Sequence, residues 1–276
     1  MERNERIPPE QDFSYFDAQA SWGVTKHMGG MEATDELAAL CHIAEGHSIL
    51  EVGCGTGVTA CHLAKRYGCQ VIGVDLSGEM VRWALRRARR KGIEHRVDFR
   101  TADAQNLPFE EHRFDAVLCE SVTAFPQDKQ RAVNEYVRVT KPGGYVGLNE
   151  GTWIQDSPSS ELVEYVARTM AKASFLSADG WKALLEAAGL CDILVRTYKI
   201  SPFSQRLNEM RGLDFQDRLD RLRGVKDFVL LYVRNANFRQ YAKEIMPSAK
   251  IIKSLFQYLG YGLYVGRKAP APSGCP

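Results

Sequence analysis

The sequence predicts an α/β fold in three layers, with helices on both faces of a mostly parallel sheet. Two observations carry that prediction. From Ser48 onward short β-rich runs alternate with helical patterns, the signature of βαβ units, and a glycine-rich turn, "GCGTG" (53–57), joins the first of those runs to the helix behind it.

Taken in order, "ATDELAALCHIAEG" reads as a helix with Thr34 or Asp35 near its cap, behind the glycine- and aromatic-bearing loop "SWGVTKHMGGM". Five strands follow: "SILEV" (48–52), "QVIGV" (70–74), "RVDFR" (96–100), "FDAVLC" (114–119) and "YVGLNE" (145–150). Between the second and third, "SGEMVRWALRRARRKG" sets Ser77 as N-cap and places Met80, Val81, Ala84, Leu85 and Ala88 on one helical face. Its basic run, Arg82 to Lys91, reads as a solvated face. Further on, "ADGWKALLEAAG" gives a helix closed by Gly189 and leads into a sixth strand at about 192–200. The final strand is "YGLYVGRKA", and residues 201–259 interrupt the pattern with mostly helical spacing. The resulting divisions are an N-terminal lid (1–47), a core (48–200), a helical insertion (201–260) and a final strand with its tail (261–276).

Bulk properties exclude several classes. The chain has 276 residues, 45% hydrophobic and 25% charged, which suits a folded domain and not a disordered or fibrous chain. A formal net charge of +2 is too mild to demand nucleic acid or an anionic membrane as an obligate partner. The N-terminal "MERNERIPPEQDF" lacks a signal-peptide core and no apolar run is long enough to span a bilayer, so a cytoplasmic location is expected. Seven cysteines, at 41, 54, 61, 69, 119, 191 and 275, form no CxxC pair, so neither a disulfide framework nor a zinc site is expected.

The glycine turn narrows the chemistry. A dinucleotide site wants GxGxxG, with a third small residue opening the helix; here Gly53, Gly55 and Gly57 are spaced GxGxG and Val58 fills the position of that third residue. Glu51, two residues before the first glycine, is an odd neighbour for a pyrophosphate and suits a ligand bearing an ammonium or sulfonium group.

With these residues the sequence resembles the class I S-adenosylmethionine-dependent methyltransferases, small-molecule branch, from about Trp22 to Ile200. The resemblance implies a Rossmann-like seven-stranded sheet with one antiparallel strand, and S-adenosylmethionine as cofactor. It implies that Asp75, ending "GVDLS" 22 residues after Gly53, takes both ribose hydroxyls and that Leu76 packs on the adenine. Asp103 in "ADAQNLPF" would accept from the adenine amino group beside the backbone N–H of Ala104, and Glu120 in "CES" would sit near the sulfonium and the acceptor. "KPGGYV" (141–146) would be the turn into the fifth strand. On this reading the glycines make room for the methionine and ribose, while Glu51 attracts the methionyl ammonium.

The sulfonium already activates the methyl group, so the protein's task is in-line positioning in a site that excludes water. A base is needed only when the nucleophile must lose a proton. His27, Glu120 and Glu150 are the catalytic candidates, with Asp156 a further acceptor contact and Trp153, Phe125 and Tyr15 a candidate aromatic wall. "CESVTAF" lacks the Asn/Asp-Pro-Pro-aromatic motif of enzymes that methylate exocyclic amino groups of bases or glutamine, and lacks a Pro-Cys nucleophile, which argues against nucleic acid.

The expected function is methylation of a small molecule at nitrogen or carbon. A nicotinamide-dependent oxidoreductase and a non-catalytic cofactor-binding scaffold are the alternatives, with arsenite or a lipid or quinone as further acceptor classes. The insertion reads as a lid or a homodimer surface, or else as a grip on an apolar acceptor or a membrane.

Overall fold

The computed structural model describes residues 27–200, 226, 229–230, 232–234 and 236–270. Tyr15, most of the expected N-terminal lid and residues 201–225 of the expected insertion lie outside the described residues.

Eight strands form one sheet: β1 (Ser48–Val52), β2 (Gln70–Asp75), β3 (Val97–Thr101), β4 (Phe114–Glu120), β5 (Thr140–Trp153), β6 (Leu176–Ser177), β7 (Leu190–Lys199) and β8 (Leu259–Lys268). Their order is β3-β2-β1-β4-β5-β8-β7, with the two-residue β6 paired to β5. β8 runs antiparallel to both of its neighbours, and the pairs among β1 to β5 are parallel. The seven-stranded sheet with one antiparallel strand is therefore present, and β6 is an addition that the sequence did not announce.

Helices cover both faces. α1 (Gly30–Leu40), α2 (Val58–Tyr67) and α3 (Gly78–Lys91) lie on one side, where Leu37, Leu63 and Ala84 join Ile49 and Leu118 in one core. α4 (Lys129–Val139) and α6 (Ala178–Ala187) lie on the other, where Tyr136 and Trp181 pack against Leu50, Val117 and Leu148. α5 (Ser160–Thr169) precedes β6, and α7 (Ala236–Glu244) and α8 (Ala249–Tyr258) precede β8. The hydroxyl of Tyr165 on α5 donates to the carbonyl of Ile245 between α7 and α8, 2.6 Å away.

Local chemistry explains the boundaries. Ser77 caps α3 by accepting from the Met80 amide, and at the C-terminal end of α4 the Lys268 ammonium donates to the carbonyls of Val137 and Thr140 at 2.6 and 2.8 Å. α1 departs from expectation, since it begins at Gly30 behind a left-handed Gly29 and not at Thr34 or Asp35. Both side chains are spent on tertiary contacts: Thr34 donates to Glu120, and Asp35 meets His62 at 2.7 Å and the Tyr67 hydroxyl at 3.1 Å. The basic run of α3 is also not wholly solvated. Arg82, Arg86, Arg89 and Arg90 are exposed, whereas Arg87 is buried and donates to the Thr56 carbonyl. "KPGG" proves to be an irregularity within β5, where the pairing with β4 jumps from Phe114↔Thr140 to Ala116↔Tyr145.

Candidate active site

Register decides which side chains share a face. Glu51 pairs with Gly73 on β2 and Leu118 on β4, and Glu120 pairs with Asn149 on β5. Because side chains alternate along a strand and in-register neighbours point the same way, Glu51, Asp75, Glu120 and Asn149 lie on the face covered by α1 to α3. Cys119 and Glu150 lie on the other face. Glu51, Asp75 and Glu120 sit at the carboxyl ends of β1, β2 and β4, with Asn149 level with Glu120 inside β5, around the point between β1 and β4 where strand order reverses, which is where open α/β sheets bind ligands.

The glycine turn is held from beneath. The amides of Gly53 and Cys54 both donate to the Val74 carbonyl, at 2.7 and 2.8 Å, and the amide of Gly55 donates to Asp75 Oδ2 at 2.9 Å. Gly53 and Gly57 have φ of 75° and 73°, a region side chains disfavour. A Cβ on Gly53 would collide with the Val122 side chain, and one on Gly57 would lie 2.8 Å from both Ala84 and Phe99. A side chain at either glycine would therefore meet the protein's own side chains.

Asp75 accepts twice from the main chain, from Gly55 and, through Oδ1, from Ser77 at 2.9 Å. Burial pushes its carboxyl above the ordinary range while those two amides pull it back. Leu76, next in sequence, is 74% exposed, a large apolar side chain left in solvent at the rim of the turn. Asp103 is exposed, with Oδ1 accepting from the Gln105 amide at 2.8 Å, and Ala104 beside it is half-buried.

Glu51 is buried, and its Oε2 has no hydrogen-bond partner. Burial first, then the neighbouring Glu120 and, more weakly, Asp75, push its carboxyl well above the ordinary range, against a single opposing amide from Ala60. A buried acceptor without a donor calls for a ligand that brings one. Asn149 Oδ1 is a second such acceptor on the same face. Its amide orientation is fixed, because Nδ2 donates to two acceptors, the Met28 carbonyl at 2.8 Å and Glu120 Oε2 at 3.0 Å.

Glu120 collects donors from three elements: Thr34 Oγ1 on α1 at 3.0 Å, Thr59 Oγ1 on α2 at 3.2 Å and Asn149 Nδ2 on β5. His27 stands beside it, with Nε2 3.7 Å from Glu120 Oε2 and 3.0 Å from Thr34 Oγ1. The segment carrying His27 is tied down at the next residue, where Met28 donates to Ser121 Oγ at 3.4 Å and accepts from Asn149. Ser121 itself has a φ of 58°, backbone strain directly after the Glu120 carboxylate.

His27 and Glu120 are therefore brought together, while Glu150 is not with them. It is fully buried on the opposite face, where Oε1 accepts from the amides of Val122 and Thr123 at 3.0 and 2.6 Å. Burial raises its carboxyl to about 7. Cys119 is on that face too, within reach of Thr123 and Tyr136, with its thiol pushed up by burial. Asp156 is exposed beyond β5, and Trp153 meets Phe175 edge to face at 5.8 Å. Thr34, Thr59, Ser121 and Asn149 were missed from sequence. Only Asn149 carried a signal, as the alternate neighbour of Glu150, and choosing between the two needs the β4–β5 register.

A sheet of this order with these carboxylates at its switch point defines a class of protein, and comparison gives the same class. Residues 49–144 match the family model described as a methyltransferase domain. Residues 49–144 therefore carry a methyltransferase domain, and the chain is similar to methyltransferases that act on small molecules. It is 34% identical over 173 residues to methyltransferase GfsG of Streptomyces halstedii, covering 61% of each chain. It is 35% identical over 152 residues to norajmaline N-methyltransferase of Rauvolfia serpentina, covering 51% of this chain and 52% of that one. The chain thus spans between about half and two thirds of these curated relatives' own length. Among solved structures, the [4+2]-cyclase SpnF superposes with a TM-score of 0.67 at 25% identity, over 87% of this chain and 81% of that one.

Proposed function

We propose that the protein transfers a methyl group from S-adenosylmethionine to a small-molecule acceptor, at nitrogen or carbon. The observation that carries the reading is Glu51, a buried carboxyl with an unpartnered oxygen beside the glycine turn and on the same face as Asp75. S-adenosylmethionine supplies a methyl group on a sulfonium, which the acceptor's lone pair takes as the carbon–sulfur electrons return to sulfur.

The chain's residues divide the remaining work. Glu51 takes the ammonium of the methionyl end, with the turn of Gly53, Gly55 and Gly57 beside it. Asp75 takes the ribose hydroxyls on the second lone pairs of oxygens already oriented by Gly55 and Ser77. Leu76 covers one side of the adenine and Asp103 with Ala104 meets its edge. Glu120, on the acceptor side, supplies negative charge next to the reacting centre, and His27 receives the proton that the acceptor's nucleophile releases. Glu150 serves by holding the loop after β4 through two amides, not as a base that touches the acceptor.

The mild net charge supports a small acceptor over nucleic acid and work without an obligate membrane partner. A cytoplasmic location accompanies that reading; among the described residues no helix is long and apolar enough to cross a membrane. The insertion around α7 and α8 is assigned to the acceptor side as a lid or homodimer surface. An arsenite acceptor loses its support, because Cys119 sits on the face opposite Glu120.

The test is a screen with methyl-deuterated S-adenosylmethionine against amines, phenols and quinols, reading S-adenosylhomocysteine and labelled product by mass spectrometry. One acceptor labelled in proportion to S-adenosylhomocysteine formed is the expected result. Tight cofactor binding without turnover on any acceptor would favour a scaffold or a different transformation, a reading that the likeness to a cyclase keeps in view.

A further inference from the structure

We propose that Thr34 is the positioning residue that fixes the tautomer of His27, holding the proton on Nε2 and leaving Nδ1 as the nitrogen that accepts. The inference rests on the reading of His27 as the acceptor-side base and adds the residue that makes that base usable.

A threonine hydroxyl has one proton to give. Thr34 Oγ1 lies 3.0 Å from each oxygen of Glu120 and 3.0 Å from His27 Nε2. Glu120 also receives Thr59 and Asn149, so every group around it presents a donor. A hydroxyl turned toward His27 would set its lone pairs against both carboxylate oxygens. The proton of Thr34 therefore goes to Glu120, and the lone pair of Thr34 is left to face Nε2. Only an Nε2–H satisfies that lone pair, and a neutral imidazole with its proton on Nε2 has its free pair on Nδ1. The direct approach of Nε2 to Glu120, at 3.7 Å, is too long for a hydrogen bond, so Thr34 is the link between them.

The position of Thr34 is itself fixed. It is fully buried, on a helix that presses closely onto the sheet: a Cβ on Gly147 would lie 2.6 Å from Cys41 Sγ and 3.0 Å from Leu37. His27 is anchored through Met28 to Ser121 and Asn149. When the nucleophile's N–H or O–H bond breaks, its electron pair stays on the nucleophile and the proton bonds to Nδ1. The Nε2–H···Oγ–H···carboxylate chain keeps its polarity, and the new imidazolium stands beside Glu120.

The test reads the tautomer directly. The full chain is labelled with 15N-histidine, His27 is assigned by its loss in His27→Asn, and ring nitrogen shifts are recorded at a pH where the ring is neutral. The expected result is the Nε2–H tautomer in the native chain, its loss in Thr34→Val and its return in Thr34→Ser. Turnover on the acceptor found by the labelled-methyl screen falls about tenfold or more in Thr34→Val through kcat, within the roughly 100-fold a positioned base supplies, while cofactor affinity holds. An Nδ1–H tautomer in the native chain overturns the proposal whether or not Thr34→Val folds, and so does an unchanged tautomer in a folded Thr34→Val. Full turnover in His27→Asn instead removes the base reading and leaves the tautomer result standing.

Discussion

Val122 fills the space that a side chain at Gly53 would need, so the turn after β1 and the loop after β4 are keyed to each other. That contact joins the cofactor side of the site to the segment that follows Glu120. Gly53→Ala is expected to cost about 2 kcal/mol or more, part from overpacking and part from the left-handed backbone. Adding Val122→Ala relieves the first part and not the second, so urea unfolding of the double variant returns less than the summed losses of the single ones. Additive losses would mean that the two loops are not coupled.

Glu150 sets a pH dependence of stability. Its carboxyl rises from an ordinary 4.5 to about 7 in the folded chain. Between those values the folded state holds a proton that the unfolded state has released, so stability is fully present below about 4.5 and is lost as pH rises through about 7. A shift of this size corresponds to about 3 kcal/mol. Glu150→Gln keeps an oxygen for the amides of Val122 and Thr123 and removes the titration. Its Tm measured from pH 5 to 8 is expected to decline less steeply than that of the native chain; parallel curves would count against it.

Leu76 separates binding from folding. At 74% exposure its replacement by serine should change stability by less than about 0.5 kcal/mol. If it covers the adenine, the same change weakens S-adenosylmethionine about tenfold, the equivalent of burying one leucine side chain. Equal affinity in both chains, read by calorimetry, would release Leu76 from that role.

Much of the fold was legible because strands and helices announce themselves by local pattern: all seven principal strands and the Ser77 cap stand within a few residues of where the sequence places them. The lengths of β5 and α1 were not, since both depend on partners distant in sequence. Thr34 reads as a cap until Glu120, 86 residues away, is seen to take its proton. The site was half legible. Glu51, Asp75 and Glu120 follow from their places at strand ends, while Glu150 and Asn149 are adjacent in sequence and differ only in which face they meet. The glycine turn was legible from its spacing, while the side chains that crowd Gly53 and Gly57, namely Val122, Ala84 and Phe99, come from distant segments and were not.

The most direct measurement is calorimetric titration of the native chain and of Glu51→Gln with S-adenosylmethionine, S-adenosylhomocysteine and NAD, over a series of pH values and in buffers of different ionisation enthalpy. Because burial and Glu120 hold the Glu51 carboxyl high, an arriving ammonium pulls it down and a proton passes to the buffer. The first two ligands are expected to bind with proton release, NAD is expected not to bind, and Glu51→Gln is expected to lose the proton release along with about tenfold or more in affinity. Binding of NAD in their place, or unchanged affinity and proton balance in Glu51→Gln, would contradict it.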